Sequence, residues 1–404
     1  MKGHPWRSLV GLPREIWVLF AATLVNRAGT MALPFLVLYL TQRLGFSAVE
    51  AGLMLTLYGL GSLITVPLAG WLSDRIGPLR VMRVSLLASG VVLLLFPAVG
   101  VGMLPAAVML LAFASEGFRP ASMAVYSVLV EPHQLKPAYA LNRLAINVGM
   151  SIGPAVGGLL AVVSFPLLFW IDGATCLVSG GILALVQFRL PDAERAPQEP
   201  RSVSPSMAER LGALGDRRFL YFLLAIIPVA IVVFQIQSTM PLYLVNELGM
   251  SPATYGLLLT INTVLIIVLE VPLNAAMAHW PHRRTLVVSA LLTGIGFGAL
   301  ALVGSVAGVA ATVVVWTFGE MISAPGSSAY VADISPAARR GEYMGLFSMA
   351  FSLAFMIGPW LGTATMDRYG SSAVWFGCLA CGCISAVMFS RIKGRVAQAT
   401  SSAV

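Results

Sequence analysis

Six ionisable side chains fall inside long apolar stretches of the chain: Arg27, Glu116, Arg119, Arg143, Glu270 and Glu320. A charge deep in a membrane helix costs about 2.5–3.5 kcal/mol on insertion scales, so each is first read as a functional group. Glu320 is the most isolated, because no other Asp, Glu, Lys or Arg occurs over Thr285–Gly319. A lone carboxyl in such a sequence is suited to load and unload protons or to hold a cation. Glu116 is a candidate relay for the same proton. Glu270 is a third proton-coupling candidate, although its place toward the end of its helix puts it within snorkelling reach of a loop arginine. Glu116 and Arg119, three residues apart, share a helix face and can instead neutralise each other.

Arg27 and Arg143 each follow an asparagine, Asn26 and Asn142. If both pairs face one cavity, fork-shaped guanidinium groups with amide help would bind a carboxylate or phosphate. The alternative is that interhelical carboxylates hold the two arginines and lock the first bundle. Arg119, Tyr39, Tyr243 and Gln235 complete the candidate substrate contacts, though aromatic residues at helical spacing serve equally as packing. Asp172 reads as a buried structural acid near an interface.

The elements that must position these residues are membrane helices. Of 404 residues, 58% are hydrophobic and 10% charged, where a soluble domain carries roughly 25% charged residues. The formal net charge of +8 comes from basic residues scattered through short loops. That is a topology signal and excludes a nucleic-acid surface. Cys176, Cys378, Cys381 and Cys383 lie in apolar segments without His or carboxylate company, and His4, His133, His279 and His282 lie in termini or loops. No nucleophile, metal or phosphate-loop arrangement results, so neither an enzyme nor a cofactor is expected.

About twenty apolar residues per crossing divides the chain into twelve helices: 14–42, 48–74, 79–101, 103–131, 136–163, 165–189, 217–246, 251–279, 283–304, 307–332, 338–366 and 370–391. Residues 1–189 form a first bundle and 217–391 a second. Residues 190–216 are a polar, Pro-rich linker, and 392–404 a tail. Met1–Arg14 is polar and basic, so the first apolar run is expected to stay as a helix. With both termini inside, the outer loops hold only Arg43 and Arg368 of the 25 Lys and Arg residues. The chain is therefore placed in the cell membrane as a multi-pass protein with both termini cytoplasmic.

The halves repeat. LYLTQRLGFSAVEAGLMLT at Leu38–Thr56 aligns with LYLVNELGMSPATYGLLLT at Leu242–Thr260, an offset of 204, and IGP at Ile152–Pro154 aligns with IGP at Ile357–Pro359, an offset of 205. A parallel repeat of this kind places a substrate cavity between the halves near mid-membrane.

The turn between the second and third helices reads GWLSDRIGPLRVMR, Gly70–Arg83. Asp74 can accept hydrogen bonds from a helix N-terminus of the other half, and Arg75 can pair with Glu131. Gly70, Asp74, Arg75 and Gly77 match the motif G-x-x-x-D-R-x-G-R-[KR], with Arg80 the one nearby basic substitute and Pro78 and Leu79 a departure. On this motif and the repeat the chain resembles the major facilitator superfamily over essentially its whole length. The resemblance implies an all-α membrane protein of twelve transmembrane helices in two pseudo-symmetric six-helix bundles. It also implies a gating latch in this loop, one-sided here because His279 and Trp280 replace Asp74 and Arg75 in the second half.

Gly149, Gly153, Pro154, Gly157 and Gly158 match the G-x-x-x-G-P-x-x-G-G motif of that superfamily's drug/proton antiporters. The resemblance extends to Phe318–Gly345, where multidrug antiporters carry an acidic residue at the position of Glu320. Asn142 departs from it, since some members carry an acid there. An arginine in the first helix with a glutamate in the tenth also loosely resembles the proton-dependent oligopeptide transporters, whose E-x-x-E-R signature is missing. The resulting expectation is a monomeric antiporter, driven by the proton gradient, that exports amphiphilic small molecules. The alternative is uptake or exchange of an anionic or zwitterionic metabolite bound by Arg27 and Arg143.

Overall fold

The computed structural model describes residues 11–131, 133–188, 212–336 and 339–392. The expected linker and tail, and the first ten residues, lie outside this set apart from the short stretch Gly212–Asp216 and the residue Ile392. Every regular element among the described residues is helical. Twelve helices are long and apolar enough to cross a membrane: α1 Arg14–Arg43, α2 Ala48–Ile76, α3 Pro78–Ala98, α4 Val101–Tyr126, α5 Pro137–Val163, α6 Phe165–Leu185, α7 Arg217–Gln237, α8 Pro252–Ala276, α9 His282–Leu302, α10 Val306–Ile334, α11 Arg340–Tyr369 and α12 Ser371–Ser390.

Two of these crossings are interrupted, and a third ends early, where the sequence pattern predicts continuous helices. In α1 regular helix stops at Gly29 and resumes at Ala32. The freed N–H groups of Met31 and Ala32 donate to Asp172 Oδ2 of α6 at 3.1 and 3.0 Å, so this buried acid is structural, as its position suggests. In α4 the break is at Glu116–Gly117. After α7 the chain turns at Ser238 before a short helix, Thr239–Leu242. Helix 7 was expected to run on to 246 and helix 6 to 189. Their crossings end at Gln237 and Leu185.

Packing repeats with the sequence. In the first half α1 contacts α5 and α6, α2 contacts α4, and α3 contacts α6. In the second, α7 contacts α11 and α12, α8 contacts α10, and α9 contacts α12. Two seams join the halves, α2 along α11 and α5 along α8. The starts of α2 and α8 are built alike. Gly45 and Gly249, 204 apart, hold φ of 75° and 65° in the preceding turns, a backbone region that glycine enters without steric cost. Ser47 and Ser251 then cap the helices by accepting the N–H of Glu50 and Thr254. On the same end of the molecule Gln42 Nε2 donates to Asn246 Oδ1 at 3.0 Å, joining two positions 204 residues apart across the seam.

The glycine motif of α5 serves two seams at once. A Cβ on Gly149 would strike Arg27, one on Gly153 would lie 2.7 Å from the Thr30 carbonyl, and one on Gly157 2.8 Å from Met31 Cβ, so this row seats α5 on α1. Gly158, one position on, faces α8: its Cβ would lie 2.7 Å from the Pro252 carbonyl and 2.9 Å from Ala253 Cα. Pro154 likewise abuts Gly256 of α8 through its carbonyl, as Pro359 of α11 abuts Gly52 of α2. Close backbone approach of this kind is what small residues permit in membrane helices. Gly158→Ala is therefore expected to destabilise the detergent-solubilised protein by about 1–3 kcal/mol through overpacking. Gly181→Ala, at a helical glycine with open space around it, is expected to be neutral or stabilising. Paired thermal unfolding curves check both.

The face at which α1 begins carries Arg75, Arg80, Arg284 and Arg340, and is called the basic face. At the opposite face one apolar cluster joins both halves, from Met31–Leu40 of α1 through Met54, Leu55 and Tyr58 of α2 to Tyr255, Leu259, Trp316 and Phe355. Toward the basic face the apolar residues form two clusters instead, one containing Leu19, Met82 and Val125 of the first half and one containing Phe222, Leu286 and Phe389 of the second. The conformation is thus sealed at the far face and parted at the basic face.

Candidate functional site

The polar residues begin one helical turn below the seal. Ala112 and Trp316 are the last members of the shared cluster on α4 and α10, and Glu116 and Glu320 each come four residues later. Tyr58 of α2 donates its hydroxyl to Glu116 Oε1 at 2.7 Å, with Ser62 Oγ at 3.4 Å from Oε2. Asn262 of α8 donates Nδ2 to Glu320 Oε2 at 2.9 Å and to Thr317 Oγ1 at 3.0 Å. Both pairs, Glu116 with Glu320 and Tyr58 with Asn262, are separated by 204 residues. The repeat therefore builds the same device twice: a carboxylate on the fourth helix of each half, held by a neutral donor on the second.

The break at Glu116–Gly117 explains why Glu116 and Arg119 do not form the expected pair. Gly117 interrupts the helix between them, so the i,i+3 register is lost and Glu116 turns to α2. Arg119 is exposed and makes no hydrogen bond or ion pair among the described residues. Arg27 carries its guanidinium over the Phe118 ring, 5.1 Å from the centroid, and its Nε is buried without a partner. The charges of Glu116 and Arg119 both act on it.

Arg143 and Glu270 are brought together: the Arg143 guanidinium Nη2 bonds Glu270 Oε1, linking α5 of one half to α8 of the other. Glu270 thus takes a membrane arginine in place of a loop arginine, and Arg143 joins the two halves where the sequence suggested a lock within one. Arg143 and Arg27 do not form one anion site. Their asparagines turn away from them. Asn26 Nδ2 donates to Cys176 Sγ at 3.2 Å, and Asn142 is buried against Met123 of α4, Nδ2 to Sδ 3.7 Å. Adjacent helical residues point about 100° apart, so a consecutive N-R pair cannot present both side chains to one cavity.

Three further candidate contacts are structural. Tyr39 packs among Phe96, Phe165 and Phe169 in the far-face seal. Tyr243 donates to the Leu300 and Val303 carbonyls. Gln235 holds the turn after α7, donating to the Gly358 carbonyl and accepting from Ser238 and Thr239.

In the loop after α2, helix ends at Ile76 and Gly77 turns with φ of 90°, Pro78 opening α3. Arg75 does not reach Glu131. Its guanidinium lies 4.2 Å above the Trp71 ring, and Glu131 sits 3.3 Å from His133 Nδ1. Asp74 and Arg80 are exposed and Gly70 has open space beside it. A latch across the basic face has nothing to grip while that face is parted. In the second half Arg284 stacks on Trp280, 4.0 Å from its centroid, so the tryptophan that replaces Arg75 serves as a seat for a cation.

Asn262, Thr317 and Ser62 were not singled out in the sequence. The signal that finds Asn262 is the repeat offset applied to Tyr58.

Residues 18–251 and 236–402 match the family model described as Major Facilitator Superfamily. The chain is 25% identical over 362 residues to the uncharacterized MFS-type transporter YqjV of Bacillus subtilis, covering 88% of this chain and 87% of that one. It is 23% identical over 392 residues to a Na(+), Li(+), K(+)/H(+) antiporter of Planococcus maritimus, covering 87% and 91%. With multidrug resistance protein 1 of Bacillus subtilis it shares 24% identity over 332 residues, covering 81% and 83%. Its fold is similar to that in the crystal structure of nucleoside transporter NupG, with a TM-score of 0.79 at 12% identity over 93% of this chain and 98% of that one.

Proposed function

The chain belongs to the Major Facilitator Superfamily, and from that premise we propose that this secondary transporter is a proton-coupled antiporter exporting amphiphilic small molecules by alternating access. The observation that carries the reading is Glu320, a membrane carboxyl one turn below the seal whose hydrogen-bond partner is a neutral amide. A carboxyl held this way can be carried with or without its proton, because losing the charge strands no buried cation. Glu116 repeats the arrangement in the other half and is the second proton site. Glu270, tied to Arg143, is assigned to holding the halves and not to carrying protons.

The export direction is supported by the α5 glycine-proline motif at the crossing with α8, and antiport by likeness to relatives whose names are those of a cation/proton antiporter and a multidrug resistance protein. The basic face is cytoplasmic by the excess of Lys and Arg there, which makes the conformation described an inward-open one in the cell membrane. The Gly70–Arg80 loop then closes the cytoplasmic side in the opposite state, each contact being worth about 1 kcal/mol and so easily exchanged. The protein works as a monomer, with the cavity between its own two halves.

The test uses everted membrane vesicles with a preset acid interior and a panel of cationic, zwitterionic and anionic amphiphiles. At least one member is expected to dissipate the gradient in vesicles containing the protein and not in control vesicles. Transport of a panel member without any proton movement overturns the antiport reading.

A further inference from the structure

Tyr58 is held at both ends. Its hydroxyl donates to Glu116 Oε1 at 2.7 Å and lies 2.9 Å from Ser115 Oγ. Its ring meets Phe355 of α11 edge-on with centroids 5.7 Å apart, and Phe355 meets Phe234 of α7 at 4.8 Å. Tyr58 and Phe355 are both buried in the apolar cluster that seals the far face. Beside them the two helices are in backbone contact, since a Cβ on Gly59 would lie 2.6 Å from Met356 Cα. One side chain thus joins a membrane carboxylate of the first half to an aromatic residue of the second, where the seam has no slack.

The second half is built differently at this point. Asn262, the counterpart of Tyr58, holds Glu320 through an amide and has no ring to offer a seam. At the offset of 205 that relates the two IGP stretches, Phe355 corresponds to Met150, which is exposed. The carboxylate device therefore repeats, but only the first copy extends into the seal. A hydrogen bond to an ionised carboxylate is about twice as strong as one between neutral groups, so the Tyr58 phenol is held hardest while Glu116 carries its charge. Arg27 of α1 and Ser62 of α2 also act on Glu116, and neither belongs to the sealing cluster.

We propose that Tyr58 couples the charge of Glu116 to the far-face seal: the carboxylate holds the phenol, the phenol fixes its ring against Phe355, and loss of the charge loosens the seam between α2 and α11. Tyr58 is then a positioning residue that acts through Glu116. By linkage, charged Glu116 belongs to the conformation described and neutral Glu116 to the one open at the far face, which is the order in which a proton moving inward is taken up and released. That last step rests on the proton reading of Glu116, and the coupling itself does not.

The experiment reads the seal directly, on the full chain in nanodiscs at one fixed pH without substrate or gradient, from distance distributions between spin labels on the far-face ends of α2 and α11. Tyr58→Phe keeps the ring and removes the donor, and Glu116→Gln keeps the shape and removes the charge. Each is expected to raise the fraction open at the far face about three- to tenfold. The double variant is expected to match either single one, because both changes break the same bond, whereas a general loosening of the core would add. Phe355→Leu is expected to open the seam as well, and Glu116→Gln in that background to change nothing further. Size exclusion reports whether each variant is folded, and Glu116→Gln tests the bond from its other side should Tyr58→Phe not fold. An unchanged distribution in Glu116→Gln, or additive effects in the double variants, overturns the proposal. Opening of the seam in the variants without proton exchange in vesicles keeps the coupling and removes the antiport reading, while an unmoved seam with intact proton exchange does the reverse.

Discussion

Glu320→Gln is expected to reduce substrate-driven proton movement to background in everted vesicles. Glutamine has the same shape and keeps an oxygen for the Asn262 Nδ2 donor, 2.9 Å away in the parent protein, so helix α10 should pack as before. The lost property is the ability to give up a proton. If Glu320 couples the gradient to transport, the variant still carries substrate down its own gradient in counterflow but no longer moves it against one. Glu116→Gln should give the same partition with a smaller effect if both symmetric carboxyls carry protons. Full proton-driven export by Glu320→Gln would remove this residue from the mechanism and leave Glu116 as the candidate. A variant that loses counterflow as well would point to a structural role, since a coupling residue need not touch exchange. Thr317, which shares the Asn262 amide at 3.0 Å, supplies a control: Thr317→Val removes a neighbour and leaves the carboxyl.

The identities of the charged residues could be read from one dimension, and their partners could not. Twelve crossings follow from apolar runs cut by charged turns, and the run limits need no knowledge of which way a helix faces. The isolation of Glu320 over Thr285–Gly319 is likewise a property of the string. Partner choice depends on helix rotation, where a step of one residue turns a side chain by about 100°. That is why Asn26 and Asn142 could be paired on paper with Arg27 and Arg143 but are buried against Cys176 and Met123. Breaks defeat periodic reasoning in the same way: Gly117 removes the shared face of Glu116 and Arg119, and the interruption after Gly29 becomes visible only with Asp172 supplying acceptors from α6. Most of the missed information lay in the repeat. Its offset of 204 relates Glu116 to Glu320 and Tyr58 to Asn262, and the correspondence of Gly52 and Gly256 predicts two matching crossings, which occur at Pro359 and Pro154.

The clasp between Arg143 and Glu270 should respond asymmetrically to losing either partner. Glu270 is 7% exposed and Arg143 55%. Removing one partner of a fully buried ion pair destabilises by about 3–5 kcal/mol because a charge is left without compensation, whereas the pair replaced by apolar residues is often neutral. Arg143→Met strands the buried carboxylate and is expected to cost about 3 kcal/mol, the lower end of that range, because the partner it loses is itself half exposed. Glu270→Gln strands a half-exposed guanidinium that water can reach, for an expected loss of about 1 kcal/mol or less. The double variant Arg143→Met/Glu270→Met should recover most of the stability lost by Arg143→Met alone, which thermal unfolding of the three proteins in the same detergent would register. Stability and switching then come apart. The pair is a contact between halves at a level where the apolar clusters have already separated, so the stable double variant lacks a tether between α5 and α8 near the basic face. Its opening at the basic face should widen, which distance measurements between spin labels on the basic ends of α5 and α8 would detect. An unchanged distance distribution in the double variant would mean that the glycine crossing around Pro154 and Gly158 holds this seam by itself.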